Sequence, residues 1–183
     1  KPSDPMQQVS ELLTEAETAA PIKSAQLKAE AARTLIQLDR KDEASRLLEE
    51  INIEFLTPGL QFEIAELKAR SALEEQDGQR ALRYLQQLPP ETTNNLPAEQ
   101  QYQIGEMQAD AYRYQQNPVN ELLQLIQLSS YNLNEKTEAL HNRIWGLLIK
   151  LPTPQLQQLS RQPNNSYYQQ GWYELALSTT TAR

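Results

Sequence analysis

The only histidine of the chain, His141, has Thr137 and Glu138 on its helical face and Trp145 one turn later. A metal centre needs three or four converging ligands. With no cysteine among 183 residues, His141 has no thiolate companion. The acidic pairs Glu49 with Glu50, Glu74 with Glu75 and Glu63 with Glu66 have the residue type for general acid–base chemistry. Glycosidic chemistry, however, asks for two carboxyls in unequal environments across a cleft. These pairs share helical stretches with Lys and Arg a turn away, where solvated ion pairs are the ordinary outcome. The sequence therefore predicts no catalytic residue, no cofactor and no metal ligand.

Aromatic rings are the remaining chemical resource, and they are unevenly placed. Phe55, Phe62 and Tyr84 precede residue 100, whereas Tyr102, Tyr112, Tyr114, Tyr131, Trp145, Tyr167, Tyr168, Trp172 and Tyr173 follow it. Residues 1–100 carry 18 acidic and 11 basic side chains, and residues 101–183 carry six of each, so an acidic aliphatic half precedes a neutral aromatic one. Rings at helical spacing mostly pack. Tyr167, Tyr168 and Tyr173 crowd one short helix that cannot turn all of them inward, which makes them the candidate interface. Such a face, with Gln and Asn nearby, suits a sugar polymer or a protein partner. A net charge of −7 without a basic stripe argues against nucleic acid or an anionic membrane surface.

The elements that position these residues read as helices throughout. Leu, Ala, Gln and Glu dominate, and runs of β-branched residues are absent. Helices are predicted at 5–19, 22–38, 41–53, 58–76, 79–88, 97–116, 118–128, 134–150, 153–161 and 166–178. Thr57-Pro58, Asn117-Pro118 and Thr153-Pro154 each place a capping residue before a proline suited to a first helical position. Ala32 and Ala44 lie 12 residues apart, as do Ala69 and Ala81, and the second pair follows the first by 37. Each pair spans a polar break, so a small residue on each arm of a helical hairpin lets the backbones approach.

A hairpin repeating at this period marks a tetratricopeptide-like solenoid. The first helices of three hairpins align through Ala32, Ala69 and Ala109 and through Leu35, Ala72 and Tyr112; the second align through Leu48, Leu85 and Ile126. The repeat then decays. Glu121 takes the second small position of hairpin three, and hairpin four (134–150 with 153–161) keeps only its outline. Helices 5–19 and 166–178 are expected as end caps, and 89–96 as a mobile loop. The predicted fold is all-α: a single tetratricopeptide-like helical-hairpin domain over 1–183, a right-handed superhelix of about ten helices, monomeric.

Asn117-Pro118-Val119-Asn120-Glu121-Leu122-Leu123-Gln124-Leu125-Ile126, then Leu133-Asn134-Glu135-Lys136 leading to Trp145, then Gln170-Gly171-Trp172-Tyr173-Glu174-Leu175 resemble the N-terminal domain of LpoA-type outer-membrane lipoproteins. The resemblance implies a non-enzymatic scaffold on the periplasmic side of the outer membrane, lipid-anchored in the full-length protein. It implies that such a protein activates a class A penicillin-binding protein, a peptidoglycan synthase, mainly through a C-terminal solute-binding-like domain. Peptidoglycan is left open as a second contact. Neither that domain nor a lipid-bearing cysteine occurs here, so the chain is expected to be a fragment of a longer one. Two other readings compete. A general tetratricopeptide module would clamp a partner's carboxylate with residues such as Lys28, Lys68 and Arg70. A lytic transglycosylase arm belongs to an enzyme whose Glu-Ser pair is absent here.

Overall fold

A computed structural model describes residues 4–131 and 133–180. Eleven α-helices and no strands occur among the described residues: α1 (Pro5–Thr18), α2 (Pro21–Gln37), α3 (Lys41–Glu49), α4 (Pro58–Glu74), α5 (Gly78–Gln86), α6 (Pro90–Asn95), α7 (Ala98–Tyr114), α8 (Pro118–Leu128), α9 (Asn134–Leu148), α10 (Thr153–Ser160) and α11 (Tyr167–Thr180). The fold is all-α and tetratricopeptide-like. Contacts divide the chain into two compact units, Lys1–Leu96 and Pro97–Arg183.

In the first unit each helix packs on the next, from α1 on α2 through α4 on α5. The alanine pairs sit at the crossings: Ala32, Ala44, Ala69 and Ala81 are all fully buried. A methyl at a crossing lets two backbones close without leaving a void. The turns repeat as well. Asp39, Gln76 and Gln116 adopt left-handed backbone at φ 59°, 58° and 55°. In each case the next amide reaches back to close the helix: Arg40 to the Leu35 carbonyl at 2.8 Å, Asp77 to Ala72 at 2.9 Å and Asn117 to Tyr112 at 3.0 Å. This is the Schellman C-cap, usually built on glycine. Counted from these turns the second helices align through Leu48, Leu85 and Leu125, one residue away from the expected Ile126; both Leu125 and Ile126 are buried.

Helix α3 ends at Glu49, short of the predicted residue 53. The chain continues as a non-helical connector with Ile51 and Ile53 buried. Buried carbonyls need partners, and α4 supplies them. Lys68 Nζ donates to the Ile51 carbonyl at 2.7 Å, and Gln61 Nε2 donates to Ile53 at 2.9 Å. Gln61 also accepts from the Thr92 hydroxyl at 2.6 Å, which ties α6 to α4. The segment expected to be a loop at 89–96 is therefore largely helix α6, with Thr92 and Leu96 buried. Lys68 is also 5.6 Å from the Tyr84 ring centroid. Burial holds its ammonium below the usual lysine range, with Glu49 opposing and Arg83 reinforcing the shift. It is a structural cation and not the groove-facing clamp residue.

The second unit departs from the repeat where the sequence does. Glu121 stands in α8 at the position of Ala44 and Ala81 and is buried. Arg143 of α9 reaches it at 3.0 Å and also holds Asp110 of α7 at 2.9 Å, so one guanidinium joins three helices. Close approach moves to Gly105 in α7, where an added Cβ would collide with the Leu128 side chain of α8. The fourth hairpin is not α9 with α10. Helix α10 makes its main contact with α11, while α9 packs on α8, and α11 also touches α8 and α9. At eight residues α10 gives the core only Leu156, so α11 fills the remaining space with Tyr173 and Ala176.

Of the three expected capping residues only Asn117 caps its helix, accepting from the Asn120 amide at 3.2 Å. Thr57 makes no side-chain cap bond, and Thr153 lies inside α10 behind Pro152.

Three substitutions test this construction by denaturant unfolding. Ala69→Leu should cost about 1–3 kcal/mol by overpacking the crossing; an unchanged midpoint would contradict it. Gln76→Gly should add roughly 0.5–1 kcal/mol, because glycine avoids most of the left-handed penalty while losing some chain entropy. Arg143→Met should cost about 2–4 kcal/mol by leaving Glu121 buried without its cation, and adding Glu121→Leu should recover most of that loss. Additive losses in the double variant would show that the two side chains are not coupled.

Candidate functional site

Helix α11 starts with a capping box. The Ser166 hydroxyl accepts from the Gln169 amide at 3.2 Å, and the Gln169 side chain accepts from the Ser166 amide at 2.7 Å. Asn165 fixes the approach by donating to the Leu159 carbonyl at 2.7 Å and to the Gln170 side chain at 3.1 Å. This leaves Tyr167 and Tyr168 in the first turn, 89% and 45% exposed, with their rings edge to face at 5.9 Å.

The three candidate tyrosines do not share a surface. Tyr173 is fully buried in the core of the second unit beside Leu125, Ile144 and Ala176. It lies five residues beyond Tyr168, close to the opposite side of a helix of 3.6 residues per turn. Its hydroxyl has no hydrogen-bond partner there, and burial pushes its pKa up. The correction has a simple cause: α11 must bury one stripe to close the unit, and Tyr173 and Ala176 form it.

The outward stripe is Tyr168, Gly171, Trp172 and Leu175, at helical i, i+3, i+4 and i+7 spacing. Tyr168, Gly171 and Leu175 are exposed, Trp172 is half-buried, and the space where Gly171 would carry a Cβ is open. Together with Tyr167, Gln170 and Glu174 these residues line an open depression of about 390 Å³. The sequence reading missed Trp172 and Leu175 as parts of this face. Their spacing from Tyr168 was the available signal.

His141 is exposed and meets Trp172 edge to face at 5.2 Å, instead of the expected Trp145. Among the described residues no three His, Cys, Asp or Glu side chains group as metal ligands do. The paired carboxylates form ion pairs. Glu74 and Lys41 lie 3.7 Å apart, Glu75 and Arg80 2.8 Å, and Glu50 and Lys28 3.9 Å. Glu63 pairs with Arg33 and Glu66 with Arg70. Glu49 accepts from the Tyr84 hydroxyl and lies 3.4 Å from Arg83, which links α3 to α5. The arrangement can present an aromatic and aliphatic face to a partner. No described helix is long and apolar enough to cross a membrane.

A family model described as LppC putative lipoprotein matches residues 2–183. No curated protein matches. Among solved structures, full-length LpoA from Haemophilus influenzae is similar at a TM-score of 0.61 and 18% identity, over 98% of this chain and 31% of that one. The LpoA N-terminal domain of the same organism is similar at a TM-score of 0.60 and 18% identity, over 98% of this chain and 80% of that one. A monoclinic form of that domain gives 0.58 and 17%, over 98% and 77%. At these identities the structures speak for the fold, and the chain spans about a third of the length of full-length LpoA. The family match covers almost the whole sequence, and the chain belongs to the LppC putative lipoprotein family as an LpoA-type N-terminal helical domain.

Proposed function

We propose that this domain is the non-enzymatic docking arm of a lipoprotein that activates a class A penicillin-binding protein. In this reading the full-length protein is lipid-anchored on the periplasmic side of the outer membrane. Contact with the synthase runs mainly through a C-terminal domain outside this chain. The observation that carries the reading is the family match over residues 2–183 together with the LpoA N-terminal fold over 98% of the chain. The helices support it by spending their charged groups on inter-helix pairing and their core on hairpin crossings, as a spacer does.

Within this reading the outward stripe of α11 is the docking face for the rest of the full-length protein. Exposed aromatic and aliphatic side chains in one stripe mark an interface. Tyr167, Tyr168 and Leu175 are among the few large hydrophobic side chains that stay exposed. The test is Tyr167→Ser with Tyr168→Ser in the full-length protein, read by small-angle scattering and by stimulation of the synthase. The expected result is a looser interdomain arrangement and weaker stimulation. Wild-type values for both would place the interface elsewhere.

A further inference from the structure

The one histidine of the chain stands at the edge of the docking face. His141 is exposed on α9, and its ring meets the Trp172 ring edge to face at 5.2 Å. Trp172 belongs to the outward stripe of α11, between the exposed Tyr168 and Leu175. A surface that covers this stripe therefore takes water away from the imidazole as well. Imidazole is the side chain that ordinarily changes its charge between pH 5 and 8. Water solvates its charged form, and an apolar covering does not.

The charged groups around His141 do not replace that water. Glu138 lies one turn earlier on α9 and is exposed. From α11, Glu174 lines the depression beside Trp172 and accepts from the Gln170 side chain at 3.1 Å. The one charged side chain of α8, Glu121, is held by Arg143 at 3.0 Å. Those by which α7 reaches α9 are also taken, Glu106 by Lys136 at 3.4 Å and Asp110 by Arg143 at 2.9 Å. Glu138 and Glu174 remain, both exposed. Exposed pairs attract weakly, and these carboxylates are present before docking as well as after it. What docking changes is the hydration of the imidazole.

We propose that His141 makes the docking of the α11 face sensitive to pH, the neutral imidazole fitting under the covering surface and the imidazolium opposing it. This rests on the docking role of α11 proposed above. The sign follows from proton linkage. The docked state favours release of the proton, so docking is complete where His141 is neutral. It weakens as pH falls through the range in which a free imidazole is protonated. A single proton limits the change in the docking equilibrium to about tenfold per pH unit.

Small-angle scattering of the full-length protein at about pH 7.5 and about pH 5.5, on either side of the imidazole range, tests the proposal. The samples are wild type, His141→Gln, and Tyr167→Ser with Tyr168→Ser, and circular dichroism at both pH values checks that each is folded. In the wild type the ratio of loose to docked arrangements should rise about three- to tenfold at the lower pH. In His141→Gln that change should vanish, whatever the degree of docking at the higher pH. An equal response in wild type and His141→Gln would place the titrating group elsewhere and overturn the inference, as would a wild type that tightens or ignores pH. The tyrosine variant separates this from the docking reading. If it is loose at the higher pH while the wild type ignores pH, the docking face stands and His141 does not control it. If it matches the wild type at both pH values, the docking face itself is wrong and the inference falls with it.

Discussion

The close approach of two helices at a buried small residue is the constraint on which the rest of this protein depends. A hairpin with a larger side chain at its crossing would stand apart and open its core to water. The alanines at 32, 44, 69 and 81 are therefore at zero exposure. Once the helices are that close, the turn between them has little freedom. It closes by a left-handed residue and a long-reach amide bond, in the same way after α2, α4 and α7. Asp39, Gln76 and Gln116 occupy that position although glycine would fit it with less strain, so the pairing of the helices holds the turn.

Polar groups inside the fold follow from the same geometry. Joining one hairpin to the next buries the non-helical connector after α3, and its carbonyls must be satisfied away from water. Lys68 and Gln61 meet that need from α4, and the Tyr84 ring lies beside Lys68. In the second unit a carboxylate replaces the crossing alanine, and the cost of burying it is offset by Arg143 from a different helix. Both solutions fix the position of a neighbouring helix as well as satisfying a charge.

Much of this architecture was legible in the sequence because it is local. The 12-residue alanine spacing, the polar breaks and the proline-marked starts of α4 and α8 depend on neighbours within a few turns. What was not legible depends on distant partners. Nothing near Glu121 announces Arg143, which lies 22 residues on in α9. The short α6 reads as a turn because of its prolines, asparagines and threonines, and it is held by Gln61 from α4. Extension of the third helix to 53 failed because Ile51 and Ile53 suit a helix pattern as well as a buried connector. Tyr173 looked like a surface residue beside Tyr167 and Tyr168, and the packing of α11 on α8, α9 and α10 put it inside. The family was readable from motifs in the second half.

The central claim is that one turn, closed by one kind of amide bond, builds the hairpins α2–α3, α4–α5 and α7–α8. Native-state hydrogen exchange at the amides of Arg40, Asp77 and Asn117 tests it most directly. Each should exchange orders of magnitude more slowly than an unstructured amide and show protection similar to the helix interior it closes. Exchange at the rate of an open loop at these three amides, with the flanking helices protected, would show that the turns do not carry the repeat.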